Sequence, residues 1–417
     1  MKKFIPILLL IVISCSKKND HPDTTNNISN GEFGTILDLN PFGDSVRMVN
    51  ATTGQIISSA PSLLVQRGNG FSVTDDSNYY EVGNTSMYSL KLRNGSWNYF
   101  YADLIAYVRF KEIYSFPVLD NNFLYYSRMD PGGGYTDLYC QNKYDGTVIW
   151  SSKIYLGSDG MDTIFYPTPV ISGNKVIVNK YVFNYGPVCF DKNTGRILWT
   201  NYKNSYYNLN NFPFVYQDQK LFISSKRDQK LYCLDVNTGT ELWNVTLDKF
   251  PVNAEMRVIN DQLFVMVGDK TNTYFYFLDI NNGSVIKKSA PITDNDYYLV
   301  GFEYPYVYLR NMQSTNIKKI DLFSGATSYS IDFPTVGGFT GSTGSLGRAG
   351  VTDKYIYCTT LTADIDLKYF KIFDKMNGKL VHEVKLAYKT VPFGFLYLDK
   401  SGKPANLGFT YKMQPMY

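Results

Sequence analysis

The chain contains only two histidines, His21 and His382. That count excludes a His-cluster metal site and leaves no complete set for Ser-His-Asp nucleophilic catalysis. Four of the five cysteines read as small buried hydrophobes. Cys140, Cys189 and Cys233 each stand six residues before a glycine in similar surroundings, and Cys358 lies in an expected inner strand. Equivalent positions lie one repeat apart, each expected to face its own repeat's core, and exceed the roughly 7 Å between Cα atoms that a disulfide tolerates. A bridge among them is the alternative, because unpaired thiols are unusual in an exported protein. Residues 337–350 are glycine-rich but lack a Gly-Lys-Ser/Thr ending and a following helix, which excludes a phosphate loop. They read as a long connector, with a contact loop as the alternative. Asp294 with Asp296, and Asp364 with Asp366, pair carboxylates without the full ligand ladder of a calcium loop, so they read as solvated turns. Neither a metal nor a cofactor is expected, and no catalytic set emerges.

The aspartates and glycines instead belong to a repeat. One segment reads Cys189-Phe-Asp191-Lys-Asn-Thr-Gly195-Arg-Ile-Leu-Trp199, and another reads Cys233-Leu-Asp235-Val-Asn-Thr-Gly239-Thr-Glu-Leu-Trp243. The aligned glycines are Gly54, Gly95, Gly146, Gly195, Gly239, Gly283, Gly325 and Gly378, separated by 41 to 53 residues. Four positions earlier stand Asn50, Lys91, Asn142, Asp191, Asp235, Asp279, Asp321 and Asp374. Asp and Asn cap tight turns through their short side chains, and Gly supplies positive φ at the turn exit. Each motif is therefore expected to be a β-hairpin. A second strand-turn-strand module precedes seven of them, as at 168–178 and 212–223. Two hairpins make a four-stranded antiparallel unit, and a period of this length marks a β-propeller.

The ends of the chain predict how the ring closes. The Gly54 hairpin has no first module ahead of it, and the C-terminus carries an orphan module at 391–402 and 408–413. Joined, they would complete one mixed blade and remove the free edges. This gives eight blades, or seven if the ends pair differently. Four residues after each glycine stand Ser58, Tyr99, Trp150, Trp199, Trp243, Lys287, Tyr329 and His382. Trp150, Trp199 and Trp243 read as struts between blades. Ligand platforms are the alternative.

These motifs resemble the PQQ-type propeller repeat, whose consensus runs Leu-Tyr-Ala-Leu-Asp, two variable residues, Thr-Gly, then Leu-Trp. The resemblance covers about residues 45 to 415. Within that family the pattern looks most like the lipoprotein propellers of the outer-membrane β-barrel assembly machinery. That likeness implies loops on one face that engage a partner's periplasmic domains. Quinone-bearing dehydrogenases of the same repeat family typically carry an adjacent Cys-Cys pair and calcium ligands. This chain has no Cys-Cys dipeptide, which speaks against quinone catalysis.

The N-terminus supplies an address. Residues 1–14 have a basic start and an apolar run too short to span a bilayer, and they read as an export signal. Val12-Ile13-Ser14-Cys15 resembles a bacterial lipobox, which implies acylation of Cys15, a palmitate-type anchor. Residues 15–31 are polar and cannot build core. They read as a flexible tether with an r.m.s. reach of about 20–24 Å, ahead of the propeller at 32–417. Ser16 after the acylated Cys resembles outer-membrane sorting, on either side of that membrane.

The full chain carries a net charge of +4. Removing Lys2 and Lys3 with the signal leaves 39 basic against 37 acidic residues. No basic tract suits nucleic acid. The expected function is a non-catalytic, lipid-anchored, monomeric propeller that binds another envelope protein. A surface-exposed carbohydrate or small-ligand binder and a quinone enzyme are the alternatives.

Overall fold

The computed structural model describes residues 32–38, 45–61, 71–74, 77–82, 86–91, 97–102, 117–130, 135–155, 169–180, 186–201, 215–225, 228–248, 256–268, 272–293, 297–311, 316–333, 335–338, 341–344, 346–361, 367–386 and 395–400. Among these residues the protein is a β-propeller without helix. Seven sheets have four antiparallel strands, one has a short fifth strand, and one ribbon has two. Sheets B (71–102), C (118–155), D (170–200), E (215–246), F (256–293), G (297–332) and H (346–385) each use consecutive strands.

Sheet A is composite. Its order is Phe395–Leu398, Thr35–Asp38, Ser45–Asn50 and Ile56–Pro61. Ile36 lies opposite Tyr397 and Leu37 opposite Leu396. The mixture differs from the two-plus-two expectation. Three strands come from the N-terminal side and one from the C-terminal side, because Thr35–Asp38 already provides the strand that the Gly54 hairpin was expected to lack. Its strand-turn-strand module is split, with Gly34 in the turn place but the first strand far away at Phe395–Leu398, so the module pattern missed it. Residues 401–417, including the 408–413 segment, lie outside the described residues.

The core lies between the sheets. Third strands such as Lys230–Asp235 are buried on both faces, because a neighbouring sheet covers each side. Ile177 and Cys189 of sheet D pack with Leu221, Ile223 and Leu234 of sheet E. Phe222, Leu231 and Cys233 of sheet E pack with Leu263, Val265 and Tyr276 of sheet F. Equivalent clusters fill B–C, C–D, F–G, G–H and H–A. The H–A cluster joins Phe370 and Ile372 to Ile36, Val49 and Tyr397. The cysteines therefore face the joints rather than a core internal to each blade, since a single twisted sheet encloses nothing. Cys140, Cys189, Cys233 and Cys358 are buried and unbridged. Burial pushes the Cys140 thiol up to about 11 and those of Cys189 and Cys233 up to about 12.

A β-bulge recurs in all eight four-strand paths, six residues before the turn glycine. In sheet D, Cys189 faces Trp199 and Phe190 faces Ile197, so Leu198 is the extra residue. A bulge re-aims the side chains beside it. Here it turns the strut residue toward the next sheet and leaves the two residues before it at the rim. Val148, Ile149, Ile197 and Leu198 are 48–54 % exposed. Ile56, Leu242, Val285, Ile286, Leu380 and Val381 repeat the exposure after other turns.

The 337–350 stretch departs from a plain connector. Thr335–Gly338 pairs with Gly341–Gly344 as a ribbon, and Leu346–Val351 is the first strand of sheet H.

Gly239 meets two constraints at once. Its φ is +71°, and a Cβ there would sit 2.5 Å from Cε3 of Trp199. Gly173 has φ +55° with nothing within 4 Å of such a Cβ. Gly239→Ala should destabilise the protein by about 2–4 kcal/mol through strain and overpacking. Gly173→Ala should cost about 1 kcal/mol. Urea unfolding of the two variants checks the difference, and equal losses would contradict the double constraint.

Candidate functional site

One face of the propeller collects the hairpin turns. In sheet D the turn Asp191–Gly195 donates Lys192 N–H to Asn174 O of the first turn, at 2.9 Å. The same bond recurs as Lys143 to Asn122, Val236 to Gln219, Leu322 to Pro305 and Lys375 to Lys354. In composite sheet A it runs from Ala51 N–H to Gly34 O at 3.0 Å. Gly34 thus takes the first-turn place, although the paired strands come from opposite ends of the chain.

The turn aspartates are occupied as caps. Asp191 Oδ1 accepts the N–H groups of Asn193 and Thr194 at 3.0 and 2.9 Å and the Thr194 hydroxyl at 2.9 Å. Asp235, Asp321 and Asp374 accept two backbone N–H groups each. Asp279 accepts that of Asn281 at 2.7 Å. The Thr194 hydroxyl and N–H hold the Asp191 carboxyl below its usual range, and the Ser324 N–H does the same for Asp321. Gly195, Gly239, Gly283, Gly325 and Gly378 all have φ near +70° and donate N–H to the carbonyl of their own Asp.

Each strut closes on the next sheet's turn. Trp150 Nε1 donates to Lys192 O at 2.9 Å, Trp199 to Val236 O at 2.9 Å and Trp243 to Ile280 O at 3.2 Å. Elsewhere the same position uses other chemistry. The Lys287 ammonium lies 3.0 Å from the Phe323 ring centroid. Tyr329 donates its hydroxyl to Lys375 O at 2.7 Å. His382 stacks on Phe33 at 4.8 Å with Nε2 2.7 Å from Thr52 O. Cys15, His21, the Gly95 turn and the Asp294/Asp296 and Asp364/Asp366 pairs lie outside the described residues.

A polar network at the G–H joint has no counterpart in the sequence reading. Lys375 Nζ lies 3.1 Å from Glu303 Oε1, and the Tyr308 hydroxyl donates to Glu303 Oε2 at 2.9 Å. Lys319 is buried, its ammonium 4.5 Å from the Tyr306 ring centroid. Lys319 occupies the repeat place of Cys140, Cys189 and Cys233, and a charge at that small apolar position was the available signal. Burial raises the Glu303 carboxyl, but the bonds from Lys375 and Tyr308 outweigh it and hold the group below its usual range. Burial and the bond to Glu303 push the Tyr308 phenol upward. Lys192 and Asp120 make an analogous bridge at 2.6 Å across the C–D joint. Among the described residues no three His, Cys, Asp or Glu converge to hold a metal.

Removing the indole N–H in Trp199→Phe should cost about 1 kcal/mol. Trp199→Ala should cost about 3 kcal/mol. Urea unfolding reads both, and a neutral Trp199→Phe would deny the bond a role. Because its folded-state pKa is depressed, Glu303 contributes stability above about pH 4.3 that is lost as pH falls through the folded value. Glu303→Gln leaves Lys375 without its carboxylate and should cost about 1–2 kcal/mol at pH 7. Unfolding midpoints between about pH 3 and 7 should show that gap closing in acid, and a pH-independent gap would contradict the assignment.

Known proteins place this architecture. Among curated proteins the sequence has no significant match. Among solved structures it is similar to BamB from Moraxella catarrhalis, with a TM-score of 0.52 and 14 % identity, covering 79 % of this chain and 91 % of that one. It is also similar to the dihydro-heme d1 dehydrogenase NirN, with a TM-score of 0.61 and 12 % identity, covering 87 % and 74 %. A third is the quinohemoprotein alcohol dehydrogenase from Comamonas testosteroni, with a TM-score of 0.55 and 13 % identity, covering 88 % and 71 %. At these identities the likeness establishes the shared fold. The family model described as outer membrane protein assembly factor BamB matches residues 43–210 and 184–286. Those overlapping matches span more than half of the sequence, and the chain belongs to that PQQ-like propeller family.

Proposed function

We propose that this chain is a non-catalytic scaffold of the bacterial envelope, held at the outer membrane through acylated Cys15 and binding another envelope protein. The reading takes the propeller as a monomeric ring of eight blades, sheets A to H. Seven joints have filled clusters, and the ring reading adds the A–B joint as the closing contact. One observation carries the absence of chemistry. The carboxylates and ammonium groups that recur through the repeats are engaged in caps and joints, as at Asp191, Lys192, Glu303 and Lys375. The family description supports an assembly role.

A quinone enzyme is the second reading, because the fold resembles the Comamonas dehydrogenase as closely as it resembles the Moraxella BamB.

Full-length tagged protein, drawn from detergent-solubilised membranes, should bring down one envelope protein in near-equal amount. Recovery solely as a free monomer would contradict the scaffold. Radiolabelled palmitate should enter the wild type and be lost in Cys15→Ala. Pyrroloquinoline quinone with calcium should leave the thermal midpoint unchanged. A raised midpoint with a visible-range chromophore would establish the enzyme reading instead.

A further inference from the structure

The turn face carries more than capped turns. Glu32 is exposed, and the chain enters sheet A at Gly34, in the place of a first-turn residue. The N-terminal segment therefore leaves the propeller on the turn face. Sixteen residues separate Cys15 from Glu32, and a polar chain of that length spans about 20–24 Å. A six- to eight-residue strand is itself about 20–26 Å long. An anchor at Cys15 thus favours the turn face toward its bilayer, because with the opposite face down the whole typical reach of the segment is taken up by the height of the ring.

The rim next to that face is apolar. The pairs Val148–Ile149 and Ile197–Leu198 lie two and three residues past their turn glycines and are about half exposed. Apolar exposure recurs at one or both of these places in sheets A, E, F and H. Sheet G breaks the belt with Thr327 and Ser328, but Tyr304 at its first turn is 53 % exposed. Apolar surface repeated over so much of a soluble domain marks contact with something. A globular partner would touch one sector of such a rim, whereas a plane can meet all of it. The turn aspartates lend no attraction to anionic lipid, so the contact is apolar and suits zwitterionic headgroups.

We propose that the turn face rests on the bilayer that holds the Cys15 anchor, with the apolar rim at the boundary between headgroups and acyl chains. The proposal rests on the lipoprotein reading above. It leaves the opposite face directed away from that membrane.

Trp150 and Trp199 directly follow the two rim pairs and report on them. Full-length protein is reconstituted into phosphatidylcholine vesicles, with or without bromine on the acyl chains. Brominated lipid should quench tryptophan emission. The variant Val148→Ser/Ile149→Ser/Ile197→Ser/Leu198→Ser should still float with the vesicles and keep its circular dichroism, but lose about half of that quenching. Protein that floats without quenching overturns the proposal and spares the anchor. Equal quenching in wild type and variant also overturns it. So does a dimer in sedimentation that the variant dissolves with quenching unchanged, which would make the rim a contact between copies. Protein that carries no acyl group and does not float refutes the anchor reading, and the proposal falls with it.

Discussion

The joint between adjacent sheets holds the molecule together, and its geometry fixes residue sizes. Blades set around an axis diverge outward, so the space between neighbours widens toward the outer strand. A small side chain fits the third strand and a large one is needed on the fourth. Cys189 and Cys233 lie opposite Trp199 and Trp243 in that order. The indole must then rest on something flat. The turn glycine of the next sheet provides it, with a backbone conformation that favours glycine and a surface with no room for a methyl group. The bulge supplies the last requirement by rotating the strut residue toward its neighbour. Strand order, turn chemistry and core composition all follow from filling one wedge.

The wedge can be filled in several ways. Lys287 lies over Phe323, Tyr329 bonds Lys375 O, and His382 stacks on Phe33. Shape is preserved while chemistry changes. At the G–H joint the substitution extends inward, where Lys319 replaces the small apolar residue and tyrosines surround its ammonium. Charged groups engaged in this way hold blades together. Joints filled in this way suit the proposed scaffold role, since a rigid frame presents its surfaces in fixed relation.

Much of this was legible in the sequence, and the gaps have physical reasons. The Asp-to-Gly spacing revealed the hairpins because a tight turn leaves few residue choices at each end. The three tryptophans revealed the struts because few side chains are large enough. Thr35–Asp38 escaped the pattern because the strand that completes its module is Phe395–Leu398, so the strand-turn-strand signal is split between distant parts of the sequence. The bulge was missed because it depends on pairing across strands. Placing the cysteines inside single blades failed for a related reason, since burial on both faces comes from neighbouring sheets. The G–H network needed positions 303, 308, 319 and 375 in one place. The family pattern carried little about the connecting loops, because tight turns constrain sequence and loops do not.

Composite sheet A has a consequence for how the molecule matures. Its innermost strand, Phe395–Leu398, is synthesised long after the three strands it completes. Until then the first three-stranded sheet has an open inner edge, and Ile36 and Val49 lack the cover of Tyr397. Sheet A is therefore completed last, by a strand from the C-terminal side. A product that stops short would keep a sticky border in that sheet, and cellular quality control could recognise it there.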